Sequence, residues 1–569
     1  TMAALLAELE PALQRRARAP AMAAAAGVAV LAVAAGAVFQ RQWSLRAERC
    51  TGGPALLAPA WGQPVRERLQ ARLSEVAGDN GRRQFDRAAA ALDAYAQGWL
   101  AMHRDACEAT ALRGEQSEAA LQLRMECLGT RLRELQSLTA LLSTADAPMA
   151  GQAVDAALGL TSVRSCADVA ALAGVAPLPA EPAARKEAEA IRSQLADANA
   201  LRLAGDYRRA LEQAEGASAR ASSLRSRPLE AQALYLRGLL EERVGRARDG
   251  EKTLVAAANA SDAARDDALR AKVASRLVYV ASQTDRYPEG HLWESVARAA
   301  LERAGGSPEL EGELLNSGGA LLAAEGRMPE ALEAYRRGLA LLESALGKDS
   351  SKRVLALANV GTVEQRLGHF KEAVAHLREG IAGIERLRGP DHPTLLGPLS
   401  TLGEALSEVG ELGAAEQAAD RAVQLARARF GPEHARVTFA LDWKATVLQN
   451  EGKFEDAIAV YRESLAIKER TLRPNDPDLT HSHDGIGQSL LGLGRAREAA
   501  AELEKALALG ETEPTPRGDT RFALARALWA LGRDKARARA LAIQARADYV
   551  AGNRLEKARG VDHWLEAPR

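Results

Sequence analysis

A ruler of glycines constrains this chain more than any other feature. Gly326, Gly368, Gly410, Gly452 and Gly494 each open a short stretch that closes five residues later on Ala331, Ala373, Ala415, Ala457 and Ala499, and successive glycines are 42 residues apart. Seven residues before each stands a second small residue: Gly319, Gly361, Gly403, Ala445 and Gly487. Weaker copies occur at Gly205, Gly245, Asp285 and Gly532. Strict self-similarity of this kind marks a solenoid, because one repeat cannot bury its apolar face alone and must stack on its neighbours. A glycine that turns the chain and a small residue that lets two helices approach make each period a helix hairpin.

The pattern resembles the tetratricopeptide repeat, with a small residue on helix A, a glycine at the A–B turn and an alanine on helix B. Its period exceeds the usual 34 or so residues and looks like the extended variant of kinesin light chains. The resemblance implies about nine hairpins over residues 183–548, stacked as a right-handed superhelix with a groove lined mainly by helix A. A capping helix over residues 549–569 is expected to close the array.

Composition agrees with an all-α chain. Aromatics make up 4% of the 569 residues while alanine and leucine dominate, which favours helices and starves a sheet. Lys plus Arg and Asp plus Glu number 75 each, so no global field recruits nucleic acid, and no basic stretch interleaves with stacking aromatics.

Residues Pro20 to Phe39 carry no charge over 20 positions, about 30 Å as a helix, the thickness of a bilayer core. They are predicted to form a transmembrane helix. Arg15, Arg16 and Arg18 crowd one end, and Arg41, Trp43, Arg46 and Arg49 the other. The expected placement is the inner membrane, N-terminus cytoplasmic, with the residues after 40 outside. A secretory signal ending near Ala35-Gly36-Ala37 and a buried alanine-rich helix are the alternatives.

All four cysteines, Cys50, Cys107, Cys127 and Cys166, fall in the helical segment expected over residues 40–170. An even number in one stretch, none at Cys-x-x-Cys spacing, suggests disulfides rather than a metal site. Of three connectivities, Cys107 with Cys127 across a hairpin and Cys50 with Cys166 at the ends is preferred; free buried thiols are the alternative. Pro177, Pro179 and Pro182 mark a linker over residues 171–182.

Motifs that would indicate catalysis fail on their surroundings. His103-Arg104-Asp105 spells the tripeptide of a kinase catalytic loop, but the fifth residue after Asp105 is Thr110, where that loop needs an asparagine. Gly485-Ile-Gly487 follows no strand, which leaves close helix packing. His481 and His483, two apart on a helix, face different directions and do not chelate. Neither a His-Glu-x-x-His, a Gly-x-Ser-x-Gly nor a phosphate-binding loop occurs. No catalytic or metal residue is assigned, and no cofactor is expected for this chain.

The segment Leu92 to Leu135 is similar to the region that follows the membrane span in bacterial serine/threonine kinases of the myxobacterial type. The shared features are Trp99, Cys107-Glu-Ala-Thr110, Gly114-Glu-Gln-Ser117 and Arg124-Met-Glu-Cys127-Leu128. In that family a cytoplasmic kinase precedes the membrane helix and tetratricopeptide repeats follow it. The resemblance implies that residues 1–19 are the juxtamembrane end of an upstream kinase domain, and that the chain, which opens on Thr1 before Met2, is a fragment. ATP and magnesium are implied for that missing domain only. The chain is then the sensor region of a single-pass receptor kinase, binding a protein or peptide, with a homodimer as one expected assembly. A membrane-tethered scaffold with no kinase is the alternative.

Registering helix A on the small residues places Asn316, Asn359, Thr362, Gln365, Ser400, Glu404, Asp442, Thr446, Gln449, Asn450, Asp484 and Gln488 on or near the groove. Such groups can hydrogen-bond an extended peptide, and the acids favour a basic or polar ligand. The Leu387-Arg-Gly-Pro-Asp-His-Pro393 stretch has a catalytic look, yet it returns as Ala345 to Ser350 and Arg429 to His434. A loop that recurs once per repeat is a turn, with glycine ending helix B and an acidic residue expected to cap the next helix A.

Overall fold

In the computed structural model the described residues are 2, 40–41, 50–510, 513–532, 534–552 and 554–566. The predicted span over residues 20–39 lies outside them. Among the described residues no helix is long and apolar enough to cross a membrane. The expected placement in an inner membrane is therefore corrected: nothing in the described chain supplies a span, and no location is assigned.

Among the described residues the secondary structure is entirely helical. Nine helix pairs run Pro182–Leu203 with Tyr207–Ser223, Arg227–Arg243 with Ala247–Ala263, Asp267–Ser282 with Tyr287–Arg303, Pro308–Ala324 with Met328–Leu346, Ser351–Leu367 with Phe370–Arg388, Leu396–Glu408 with Leu412–Phe430, Ala435–Asn450 with Phe454–Thr471, Thr480–Gly492 with Ala496–Ala508, and Pro514–Ala530 with Lys535–Ala551. A last helix, Leu555–Glu566, follows.

The chain divides into two compact units, residues 1–274 with 299–305 and residues 275–298 with 306–569. The division falls inside the third pair and not at the proline-rich stretch.

Each period is built as its residue types dictate. The five turn glycines hold φ between 75° and 84°, the left-handed region where a side chain is disfavoured. Seven residues earlier the helices cross: a methyl on Gly361 would lie 2.7 Å from Leu377 Cγ, and one on Gly487 2.5 Å from Leu503 Cγ. The repeat-to-repeat turn uses Gly389 and Gly431 at φ 102° and 87°. Its cap is corrected by one residue. His392 Nδ1 accepts from Thr394 N–H at 3.3 Å, His434 Nδ1 from Arg436 N–H at 3.1 Å, and Asp476 Oδ1 from Asp478 N–H at 3.2 Å. These are equivalent positions 42 residues apart, so the capping atom sits one residue after Asp391, and His392 is a helix cap.

In the first unit, Gly53–Trp61 leads into the long helix Gln63–Ala111, broken at Gly78 (φ 54°), which turns back into Glu118–Leu142. The residues behind the kinase resemblance stitch this hairpin. Trp99, 1% exposed, donates Nε1–H to Leu128 O at 2.9 Å. Gln116 Nε2 donates to Ala106 O at 2.7 Å and to Thr110 Oγ1 at 2.9 Å, and Arg124 reaches Asp105 at 2.6 Å and Gln116 Oε1 at 3.1 Å. Asp105 and His103 are therefore structural: Arg124 and Arg113 hold the Asp105 carboxyl below its usual range, and His103 stacks on Trp99 at 5.0 Å.

The disulfides are Cys50–Cys107 and Cys127–Cys166, which corrects the preferred pairing. Trp99 facing Leu128 puts Cys127 opposite residue 100, so Cys107 stands about seven residues, or roughly 10 Å, further along the axis. That exceeds the Cα separation of roughly 7 Å that a bridge tolerates. Cys50 reaches Cys107 because Gly53, three residues on, lies against Leu100 and His103.

This segment and the first repeats share one core. Leu92, Trp99, Leu135 and Leu138 belong to the same buried cluster as Ile191, Leu195, Ala214 and Leu240. The stretch predicted to be a linker is short and tied down: helix Val169–Gly174 runs into its first four residues, Ala176 N–H donates to Ala264 O at 2.8 Å, and helix Pro182–Leu203 starts at its last proline.

Candidate functional site

The polar residues predicted to line a groove lie on helices A of the second unit, and most of their hydrogen bonds are spent inside the stack. Asn359 Nδ2 donates to Asn316 Oδ1 at 2.9 Å, linking the A helices of neighbouring repeats. Thr362 Oγ1 turns back on Ala358 O at 2.8 Å. Thr446 meets the Tyr461 hydroxyl at 2.9 Å, Gln449 donates to Gly485 O at 3.4 Å, and Gln488 donates to Asp484 Oδ2 at 2.6 Å. Asn450, at the end of its helix, is exposed.

Three of these residues are corrected from groove to interior. Asp442 and Ser400 are 6% and 1% exposed, and Gln365 is 9% exposed and bonded to Glu404. Asp442 meets Lys468 Nζ at 2.6 Å, and Ser482 Oγ donates to its other oxygen at 3.1 Å. An i, i+4, i+7 set such as 442, 446 and 449 marks one helix stripe, and that stripe faces its own helix B and the next repeat.

The exposed stripe of helix A lies one residue further round, and it carries large apolar residues at Leu355 and Phe439. Leu355, Gly397, Phe439 and His481 are equivalent positions, 42 residues apart. Leu355 is 37% and Phe439 51% exposed, and His481 is exposed as well. Phe439 meets Trp443, one turn on, edge to face at 5.9 Å. Trp443 meets His481 of the next repeat at 6.5 Å, and His481 meets Tyr461 at 5.9 Å. Tyr461 is 1% exposed, and only a glycine fits over it: a methyl on Gly485 would lie 2.2 Å from its ring. Sequence reasoning missed this row. Its signal is a large apolar residue at Phe439 and Trp443 where the preceding repeat has Gly397 and Thr401.

Electrostatics set two acids apart. Burial, seconded by Glu408, pushes the Glu404 carboxyl up to about 7, and burial with Asp519 nearby does the same for Asp484, also to about 7. His483, by contrast, turns to Glu502 at 2.7 Å and holds that carboxyl down to about 2. His481 and His483 thus serve different neighbours. Among the described residues no group of three His, Cys, Asp or Glu side chains is placed to hold a metal ion.

Tetratricopeptide-repeat models match residues 312–386, 399–436 and 436–512. No curated protein matches the chain. Solved structures similar to it include the nearly identical kinesin-light-chain TPR-like repeats of Podosopora anserina, 21% identical over 34% of this chain and 92% of that one, TM-score 0.30. BtubC of P. vanneervenii is 20% identical over 41% and 93%, TM-score 0.34. A signal-transduction ATPase with a tetratricopeptide-repeat sensor from Pyrococcus horikoshii is 13% identical over 72% and 54%, TM-score 0.41. Residues 312–512 thus form a tetratricopeptide-repeat region, an architecture that serves as a scaffold for protein–protein interaction.

Proposed function

We propose that this chain is a protein-interaction module that captures a segment of a partner protein on the exposed stripe of helices A in its second unit. The observation that carries the reading is the Phe439–Trp443 pair, an aromatic surface left open on a helix whose other large apolar side chains, Val437, Leu441, Val447 and Leu448, are buried. Aromatic side chains on a rigid scaffold are the usual energetic anchors of an interface. The polar stripe beside them is spent on bonds inside the stack, so specificity comes from the aromatic row and the few groups at its margin.

Affinity capture with the full-length chain tests this. Phe439→Ser and Trp443→Ser abolish recovery of partners retained by the parent, while Leu292→Ser, an exposed apolar residue elsewhere in that unit, leaves it intact. Equal recovery by all variants would sink the proposal.

The likeness of Leu92–Leu135 to myxobacterial-type kinases supports a sensory use for the module: partner capture would report to a serine/threonine kinase domain encoded upstream in the same chain. ATP and magnesium belong to that domain, and phosphoryl transfer is no property of the residues described. Sequencing the reading frame upstream of Thr1 decides it. A frame lacking the glycine-rich, catalytic and Asp-Phe-Gly motifs leaves the interaction module standing without the kinase.

A further inference from the structure

The aromatic row has carboxylates at its margin, and one of them, Glu404, keeps an oxygen without a hydrogen-bond partner. Glu404 stands on helix Leu396–Glu408, which packs on the Phe439 helix: a methyl on its neighbour Gly403 would lie 3.6 Å from Val447 Cγ2. Glu404 bonds Gln365, but its Oε2 is enclosed with no hydrogen-bond partner. One turn earlier Ser400, 1% exposed, has a hydroxyl oxygen that is equally unpartnered. Two repeats on, Asp484 accepts from Gln488 at 2.6 Å and takes a second side-chain hydrogen bond from Thr520.

These acids converge. The Tyr461 hydroxyl is raised chiefly by burial and then by the charges of Asp442, Asp484 and Glu404, so all three carboxylates lie within electrostatic reach of the ring that touches His481. Asp442 already holds Lys468; the other two have no such cation. Arg366 and Arg554 act on Glu404 through space and Glu408 opposes them, while Lys557 acts on Asp484 and Asp519 opposes it. An enclosed carboxylate oxygen without a donor is costly. A cation delivered from outside removes that cost and gains a charge-assisted bond.

We propose that the face selects an extended partner segment that presents an arginine or lysine to Glu404 while an aromatic or large aliphatic side chain of the same segment lies on Phe439 and Trp443. This deepens the interaction reading above and rests on it. The neighbouring aromatic surface suits the stem of a basic side chain as well as its charge. An acidic segment meets the reverse: like charges facing across a desolvated margin.

The test is fluorescence anisotropy on the full chain with three labelled twelve-residue peptides in a glycine–serine frame. Each carries one phenylalanine and two copies of arginine, of neutral citrulline, or of glutamate. The arginine peptide is expected to bind most tightly and the glutamate peptide least. Glu404→Gln lowers the affinity for the arginine peptide about tenfold and leaves the citrulline peptide unchanged. Phe439→Ser weakens both. Equal binding of arginine and citrulline peptides, both sensitive to Phe439→Ser, overturns the basic-segment proposal and keeps the docking face. Binding insensitive to both variants, or no binding by any peptide, overturns both. Far-UV circular dichroism and the Tm of each variant confirm that the fold is intact; if Glu404→Gln unfolds, Glu404→Asp, which keeps the charge but withdraws it by one methylene, is expected to lose affinity for the arginine peptide alone.

Discussion

Asp442 on helix A of the seventh pair and Lys468 on its helix B form an ion pair 2.6 Å apart, both less than 10% exposed. Lys468 also donates to Asp478 O at 2.7 Å and Ser482 Oγ at 3.1 Å, so one ammonium joins the two helices of a repeat to the start of the next. Asp442→Ala leaves that charge buried without its counter-charge, and is expected to cost about 3–5 kcal/mol. Urea unfolding measures it. The double change Asp442→Leu with Lys468→Met should recover most of the loss, because replacing both members removes the desolvation cost of each.

Glu404 and Asp484 predict how stability varies with pH. Both carboxyls are raised to about 7 in the folded chain, from ordinary values of 4.5 and 3.8. The folded state therefore keeps protons that the unfolded chain releases, and stability falls as pH rises between about 4 and 7. Thermal unfolding from pH 4.5 to 8 should show a decline that flattens in Glu404→Gln with Asp484→Asn. An unchanged slope in the double variant would remove these two groups as its cause.

Glu502 works in the opposite sense. His483 holds its carboxyl down to about 2 in the folded chain, so its contribution is present above about pH 4.5 and is lost as pH falls towards 2. His483→Asn should lower stability at every pH above about 4.5 and shift acid unfolding to higher pH, read by circular dichroism.

Crossing points of helices predict a reversal of helix propensity. Alanine is ordinarily the better helix former by about 1 kcal/mol, but at Gly485 a methyl would collide with the Tyr461 ring. Gly485→Ala should lower stability by about 1–3 kcal/mol. Gly485→Ala combined with Tyr461→Leu, which removes the ring beneath it, should lose less than the two single changes summed.

The cystine pairing gives a direct chemical check. Non-reducing digestion and mass spectrometry should recover peptides joining Cys50 to Cys107 and Cys127 to Cys166. Cys127→Ser with Cys166→Ser is expected to cost about 2–4 kcal/mol. Recovery of a Cys107–Cys127 peptide would contradict the axial offset between the two helices.

What the sequence made legible was whatever repeats. The turn glycines at 42-residue spacing, the small residues seven positions earlier and even the weaker copies at Gly205, Gly245, Asp285 and Gly532 all take the positive φ or close crossing that their residue types suggest. What stayed hidden depends on partners far apart in the chain. Nothing local to Asp442 says that Lys468 reaches it from the other helix, so a buried acid read as a groove residue. A shift of one position round helix A separates Asp442 from Trp443, the interior stripe from the exposed one, and polarity alone pointed to the wrong side. Cystine connectivity needed the hairpin register, which Trp99 and Leu128 establish only once folded.

The continuous core from Leu57 to Leu240 gives the stapled segment a second meaning. A linear stack held by nearest-neighbour contacts is weakest at its ends, where the last hairpin has packing on one side only. Here the first hairpin is met by Leu135 and Leu138 of a helix that a cystine pins at Cys127. The segment is an end plate that stops fraying where it would otherwise begin. Reductant should therefore loosen the first hairpins before any others, and hydrogen exchange would register it as lost protection spreading from Ile191 towards Leu240.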